Sequence, residues 1–333
     1  MSNPPVIMYR YDASPFCHKV DNILTLKKIP HQRVNVSSML PRPEITELLG
    51  ITYRRIPILA IGNDVYCDSS LIATALERRF PSSAGYGTIY PPRAGTNKTD
   101  IGLINLFSKF YADNVLFPPA TNLIAWDKIP AVFLKDRSAL RGAPIDPAAI
   151  TAARPLSESV LTTHLINLES QLADGRTWLL DTSLPSLADL SVHFVLAWGK
   201  SFKGTDAVFD KVKFPKTLEW IDRVTAHIQS LRTSQPAPTK LKGPEAAEII
   251  VNATASHEEL KFDDLEGERL KLKKGDSVLI TPDDNARNYP TKGTLLGLTA
   301  EECVVQVKGS KGLIRVHFPR FGFVIRKGDA AKL

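Results

Sequence analysis

The 333-residue sequence predicts three folds in series: an α/β domain, an all-helical region and a small all-β barrel or sandwich. Three observations predict this. Between residues 6 and 80, short apolar runs alternate with amphipathic stretches; from 98 to 231, apolar residues recur at three- and four-residue spacing. From 276 to 326 the pattern turns to short alternating runs broken by Gly, Asp and Pro. The predicted boundaries are 1–84, 96–233 and 244–329. With 43% hydrophobic residues, the chain can bury sizeable cores without metals or disulfides.

Val6 to Tyr11 reads as a buried strand, and Ser14-Pro15 opens a helical pattern through Val20, Ile23, Leu24 and Leu26. His31 to Val36 is a second strand; Pro43 to Leu49 is a short helix closed by Gly50. Ile56 to Ile61, the turn Gly62-Asn63-Asp64 and Val65 to Cys67 form a hairpin. Asp68-Ser69-Ser70 then caps a helix from Leu71 to Phe80, giving the order βαβαββα. Pro81 to Thr96 is rich in Gly, Pro and Ser and marks a boundary. The clearest helices beyond it are Lys98 to Asn114, Leu156 to Ala173, Leu187 to Trp198 and Lys216 to Leu231, and Thr233 to Pro244 is the second boundary. Five strands follow, at 276–281, 293–298, 302–307, 313–318 and 322–326.

Composition excludes several function classes. Three cysteines, Cys17, Cys67 and Cys303, are too few and too odd in number for a disulfide framework and fit a reduced intracellular protein. No apolar run approaches the roughly 20 residues that span a bilayer, and the N-terminus has no signal-peptide pattern. The sequon Asn252-Ala253-Thr254 is read as chance. The net charge of +7 is diffuse, with 16 Lys+Arg against 14 Asp+Glu from Lys240 onward and 26 against 21 before it, so no nucleic-acid partner is predicted. The seven histidines show no metal-ligand spacing, so no metal is predicted, and Gly85-Tyr86-Gly87 lacks the setting of a dinucleotide loop.

The chemistry concentrates at Ser14-Pro15-Phe16-Cys17, where a strand gives way to a helix N-terminus that favours anions. The spacing is that of a redox C-x-x-C with the first cysteine replaced by serine, which removes a dithiol cycle but leaves a hydroxyl that can donate to a bound thiolate. Three further motifs follow in order: Arg55-Ile56-Pro57, Asp68-Ser69 and Ser186-Leu187-Ala188-Asp189. With the βαβαββα order and the helical region, they make the chain resemble the glutathione transferase superfamily over residues 5 to 232. The resemblance implies a thioredoxin-like domain followed by the all-α glutathione-transferase C-terminal-like domain.

That likeness implies glutathione as cosubstrate, an apolar electrophilic small molecule as second substrate, a detoxifying conjugation or isomerisation, and a homodimer. Carried onto this sequence, Ser14 takes the activating position, serine in tau-like and cysteine in omega-like classes. Ile56 before a cis-Pro57 offers its backbone to the cysteinyl part, Asp68 and Ser69 hold the γ-glutamyl end, and Arg55, with Arg33 as an alternative, pairs with the glycine carboxylate. The pair Ser186 and Asp189 is a structural capping box. Cys17 is the alternative nucleophile, of a thiol transferase; Tyr9, Tyr11 and Asp12 are alternative donors, Tyr9 having strand packing as its simpler role. Phe107, Phe110 and Tyr111, with Phe117 beyond, are expected to face the electrophile cleft. A non-catalytic scaffold is the remaining alternative. The terminal Ala331-Lys332-Leu333 resembles a peroxisomal address, so peroxisomal or cytoplasmic residence is expected. The β-rich end is expected to pack on the helical region or to mediate assembly.

Overall fold

A computed structural model describes residues 3–255 and 260–328; the Ala331-Lys332-Leu333 tail lies outside the described residues. The N-terminal elements run β1 (Val6–Arg10), α1 (Pro15–Leu26), β2 (Gln32–Asn35), α2 (Pro43–Thr46), β3 (Ile58–Ile61), β4 (Asp64–Cys67) and α3 (Ser69–Arg79). Every residue of β1, β3 and β4 is buried, as the near-continuous apolar runs require of strands covered on both faces. β1 pairs in parallel with β2 and antiparallel with β3, and β3 pairs antiparallel with β4. This is a thioredoxin-like arrangement.

The helical region comprises α4 (Ile101–Leu106), a π-helical stretch (Phe107–Leu116), α5 (Phe117–Thr121), α6 (Ala131–Arg141), α7 (Pro147–Ala152), α8 (Arg154–Leu172), α9 (Leu187–Lys200) and α10 (Pro215–Thr233). The predicted helix from Lys98 to Asn114 therefore changes its winding midway. α9 is buried along most of its length, and its first turn is fixed by Asp189. That carboxylate accepts from the Ser186 and Leu179 amides and from Trp220 Nε1, at 2.9, 2.8 and 3.0 Å. The capping box is thus also a buried knot between α9 and α10.

The remainder differs from expectation in where it sits. Thr239–Lys240, inside the predicted boundary, forms β5 and pairs with β2 at one edge of the thioredoxin-like sheet. The chain then crosses through α11 (Gly243–Asn252) and α12 (Asp264–Leu270). It builds β6 (Ser277–Pro282), β7 (Thr291–Leu298), β8 (Glu302–Gly309), β9 (Gly312–Pro319) and β10 (Phe323–Lys327). β9 lies parallel to β4, so the β-rich module extends the first sheet into ten strands, β10-β6-β7-β8-β9-β4-β3-β1-β2-β5. The module was expected to pack on the helical region or to mediate assembly; it does meet Lys109, Phe110 and Leu140 of the helical region, but its backbone pairing is with the thioredoxin-like sheet. The physical reason is that β4 offers a row of unpaired backbone groups, which β9 satisfies.

Close backbone approach makes that seating possible. Ser310 at the β8–β9 turn donates to Glu47 O at 2.9 Å, and a Cβ on Gly309 would lie 2.1 Å from Leu48 O. Within the module, β10 returns to pair with β6. Phe318 and Phe323 pack beside Tyr53 of the thioredoxin-like domain, with ring centroids 5.9 to 6.1 Å apart.

Candidate functional site

Three chain segments end at the same edge of the thioredoxin-like core. The register places Tyr9 opposite Ile58 and Ile58 opposite Cys67, so the residues just beyond β1, just before β3 and just after β4 converge there. These are the Ser14 loop, the Ile56–Pro57 step and Asp68–Ser69. The Ile56–Pro57 bond is cis, as is Leu40–Pro41. No described residue bonds the Ile56 backbone N–H or C=O, which leaves both groups available to an extended ligand.

Ser14 caps α1: its Oγ accepts from the Cys17 amide at 3.3 Å, leaving its proton to donate. The side chain is deep, with Ser14 only 2% exposed, so a partner must come down onto it. Cys17 lies behind it at 0% exposure, and burial pushes its thiol up to about 11 despite the Ser14 contact. Thiolate chemistry needs the opposite, so the structure speaks against Cys17 as a nucleophile. Burial likewise raises the Tyr9 phenol, whose hydroxyl is buried without a partner. Tyr9 packs the strand. Tyr11 approaches Arg137 of α6 at 3.5 Å, and Asp12 is held by Arg10.

Asp68 caps α3 with φ +78° and ψ 132°, a strained backbone state that favours glycine and that the surrounding fold holds in place. Its Oδ1 accepts the Ser70 amide at 3.0 Å. Ser69 is buried in the first turn.

Two long side chains flank this edge, and both touch the β-rich module. Arg55 is bound by the carboxylate of Asp284 and donates to Asn285 O at 2.7 Å. It thus has an anionic partner already. Arg33, the alternative, is paired with Asp21 at 2.8 Å, on the far side of β1 from β3. At the other end Lys109, from the π-helical stretch, reaches Ser70 Oγ at 3.2 Å and Phe321 O at 3.3 Å. The Phe321 ring lies 4.6 Å from its ammonium.

The aromatic residues divide. Phe107 and Tyr111 pack together, with centroids 4.9 Å apart, and Tyr111 contacts His164 of α8. Phe110 instead meets Phe321 of the module at 4.6 Å. The three do not form one wall, because the wider π turn rotates Phe110 off the face that 107 and 111 share. A second aromatic group lies directly after Ser14: Phe16 packs on Phe117 at 4.7 Å, and Phe117 stacks on Trp198 at 5.5 Å. Phe117 was expected there. Phe16 and Trp198 were not singled out, and neither were Lys109, Asp284 or Phe321. For Phe16 a signal existed, since it is the residue between the motif's Pro15 and Cys17.

Comparison with known proteins agrees with this fold. Residues 8–84 match the family described as "Glutathione S-transferase, N-terminal domain", and residues 114–233 match "Domain of unknown function (DUF7962)". Residues 8–84 thus carry the N-terminal domain of a glutathione S-transferase, and a β-rich extension follows the helical region. More particularly, the chain is similar to a GST-like protein from Pseudomonas syringae, at 29% identity and TM-score 0.73, over 98% of this chain and 100% of that one. That match takes in the β-rich module. A tau class glutathione S-transferase from mango, Mangifera indica, shares the fold at 14% identity and TM-score 0.50, over 73% of this chain and 95% of its own. Over 71 residues the chain is 35% identical to prostaglandin E synthase 2 of Danio rerio; this covers 21% of this chain but only 18% of that protein.

Proposed function

We propose that the chain is a glutathione transferase that binds glutathione along the Arg55–Ile56–Asp68 edge and lowers its thiol pKa with the Ser14 hydroxyl. The observation that carries this reading is the Ser14 hydrogen bond: with Oγ accepting from the Cys17 amide, its hydroxyl proton is what a glutathione thiolate at the α1 N-terminus can accept, in place of its contact with the Cys17 thiol. A hydrogen bond to the charged form favours that form, and the α1 N-terminus adds to the effect. The thiol proton passes to solvent. The thiolate then forms a C–S bond to an electrophilic carbon; in conjugation a leaving group departs with its electron pair, and in isomerisation the thiolate itself leaves again. Catalysis is positioning plus anion stabilisation. Phe16, Phe117 and Trp198 are the apolar surface next to the thiol, which suits an apolar electrophile.

A non-catalytic binding role is the second reading, favoured by the prior engagement of Arg55 with Asp284. Calorimetric glutathione binding, with turnover of electrophiles and of a mixed disulfide, separates the two in the wild type, Ser14→Ala and Cys17→Ser. Ser14→Ala is expected to bind glutathione but to lose on the order of 100-fold in kcat/KM for conjugation, as for removal of one anion-stabilising donor. Cys17→Ser is expected to keep its turnover. Binding without turnover of any electrophile supports the second reading, and full activity in Ser14→Ala removes the serine from its role.

A further inference from the structure

We infer that Lys109, seated by the β-rich module, is the specificity-determining cation for the α-carboxylate of glutathione's γ-glutamyl end. The inference rests on the glutathione reading above and fixes which way round the ligand lies.

Lys109 is an unusual cation in this molecule. Other buried cations are neutralised directly: Lys19 by Asp113 at 2.8 Å, Lys27 by Glu77, Arg54 by Asp136 at 2.8 Å. Lys109 is half-buried and forms no ion pair with a described carboxylate; its contacts are a hydroxyl, a carbonyl and a ring. Burial is the main influence on its pKa and pulls it down, against the more distant charges of Asp68, Asp113 and Asp283. A desolvated cation without a counter-ion is costly, and a ligand anion would relieve it.

The second half of the pattern is Asp68. Its Oδ1 is committed to the Ser70 amide and hydroxyl, while Oδ2 accepts from no described residue. One end of this edge therefore presents an available carboxylate oxygen and an available ammonium on either side of Ser70. This is a charge-separated pair suited to a zwitterion. Arg55, which also feels the charge of Asp68, presents a single guanidinium on the Asp284 side, suited to a lone carboxylate. Glutathione has that asymmetry: an α-amino acid head at its γ-glutamyl end and a plain carboxylate at its glycyl end. The charges seat the head between Asp68 and Lys109.

The module enters through Phe321. Its carbonyl accepts a hydrogen bond from the Lys109 ammonium and its ring faces that ammonium, while Phe110 packs edge-on against the same ring. These contacts orient a side chain that four rotatable bonds would otherwise leave to wander. A region far beyond the glutathione-binding domain in sequence thus helps set the affinity for glutathione's head.

The test uses calorimetry on the full chain with glutathione and two analogues. 4-Aminobutyryl-cysteinylglycine lacks the α-carboxylate; glutaryl-cysteinylglycine keeps it and lacks the amine. Lys109→Met is expected to weaken glutathione and the glutaryl analogue by on the order of 10- to 100-fold, the range for a charge-assisted contact, and to leave the aminobutyryl analogue within about twofold. Lys109→Arg should recover most of the loss, and Phe321→Ala should show a smaller loss with the same ligand pattern. Equal loss for all three ligands, or none, in a wild type that binds glutathione overturns the role of Lys109 and leaves the glutathione site standing. A wild type that binds no glutathione overturns both.

Discussion

The β-rich module meets the rest of the chain on two surfaces of opposite character. At the β4–β9 seam the contact is dry and charge-dense: Asp64, at 0% exposure, accepts from Arg315 Nη2 at 2.8 Å, Arg79 Nη1 at 3.2 Å and His317 Nε2 at 2.9 Å. His317 also bonds Glu302 and stacks on Tyr66 at 4.4 Å. At the site edge the contact is wet: Asp284 is 56% exposed where it holds Arg55, and Phe321 is 50% exposed over Lys109. The difference teaches where the module is fixed and where it is exchangeable. Charges at the seam have no water to replace a lost partner, whereas those at the site edge can trade a protein partner for water or a ligand.

Breaking the seam should therefore give the largest effect. Asp64→Ala leaves the part-buried Arg79 and Arg315 and the buried His317 without their shared carboxylate, and a loss of about 3–5 kcal/mol is expected, the range for breaking a buried ion pair. Denaturant unfolding measures it, and limited proteolysis should show the module cut first. A loss under about 1 kcal/mol would mean that the network contributes no more than a surface pair.

That seam also marks the limit of what the sequence discloses. The βαβαββα order, the Ile56–Pro57 step and the Asp68 cap are local, so residue type and spacing reveal them. The five strands of the module were also legible from their alternation. Their docking was not. Asp64 and His317 are 253 residues apart and each looks like an ordinary polar residue in or next to a strand; nothing local says that β4 will take a neighbour from the β-rich module rather than solvent. The same holds for Asp284 against Arg55. The aromatic triplet failed for a different reason: Phe107, Phe110 and Tyr111 have helical spacing, but the period changes to π at that point.

The turn that seats the module offers a second way to break the seam, by packing rather than charge. In Gly309→Val, a Cβ is placed 2.1 Å from Leu48 O, which is backbone and cannot swing away. A loss of about 1–3 kcal/mol is expected, the usual cost of overpacking, with glutathione affinity changed less than stability. If Gly309→Val unfolds at the wild-type midpoint, the β8–β9 turn is not held against α2.

A finer probe is pH. Burial alone would lower the His317 pKa, but the hydrogen bonds and charges of Asp64 and Glu302 outweigh it and the net shift is upward from 6.5. The folded chain then holds this proton more tightly than the unfolded one. The stabilisation is complete below pH 6.5 and is lost as pH rises through the folded-state value. Arg315, Arg79 and Arg78 face the same carboxylates and keep their charge, so they do not add to this slope. His193 has the opposite sign: burial lowers it to about 4, so its contribution is lost as pH falls from 6.5. Unfolding free energies of wild type and His317→Gln between pH 6 and 9 isolate the seam. The wild type should lose its advantage over the variant as pH rises, and parallel curves would show His317 unprotonated in the fold.

The smallest expected effect belongs to the site edge, and its sign is the informative part. Arg55 is held by Asp284 and by Asn285 O, so in the proposed glutathione site a glycyl carboxylate would compete with an anion already there. Asp284→Asn removes that competing charge and leaves the guanidinium in place. Because the pair is partly solvated, its own strength is about 0–1 kcal/mol. Glutathione binding is accordingly expected to tighten by about two- to fivefold, with the unfolding midpoint nearly unchanged. Weaker binding would reverse the reading, since it would mean that Asp284 positions Arg55 for the ligand instead of withholding it.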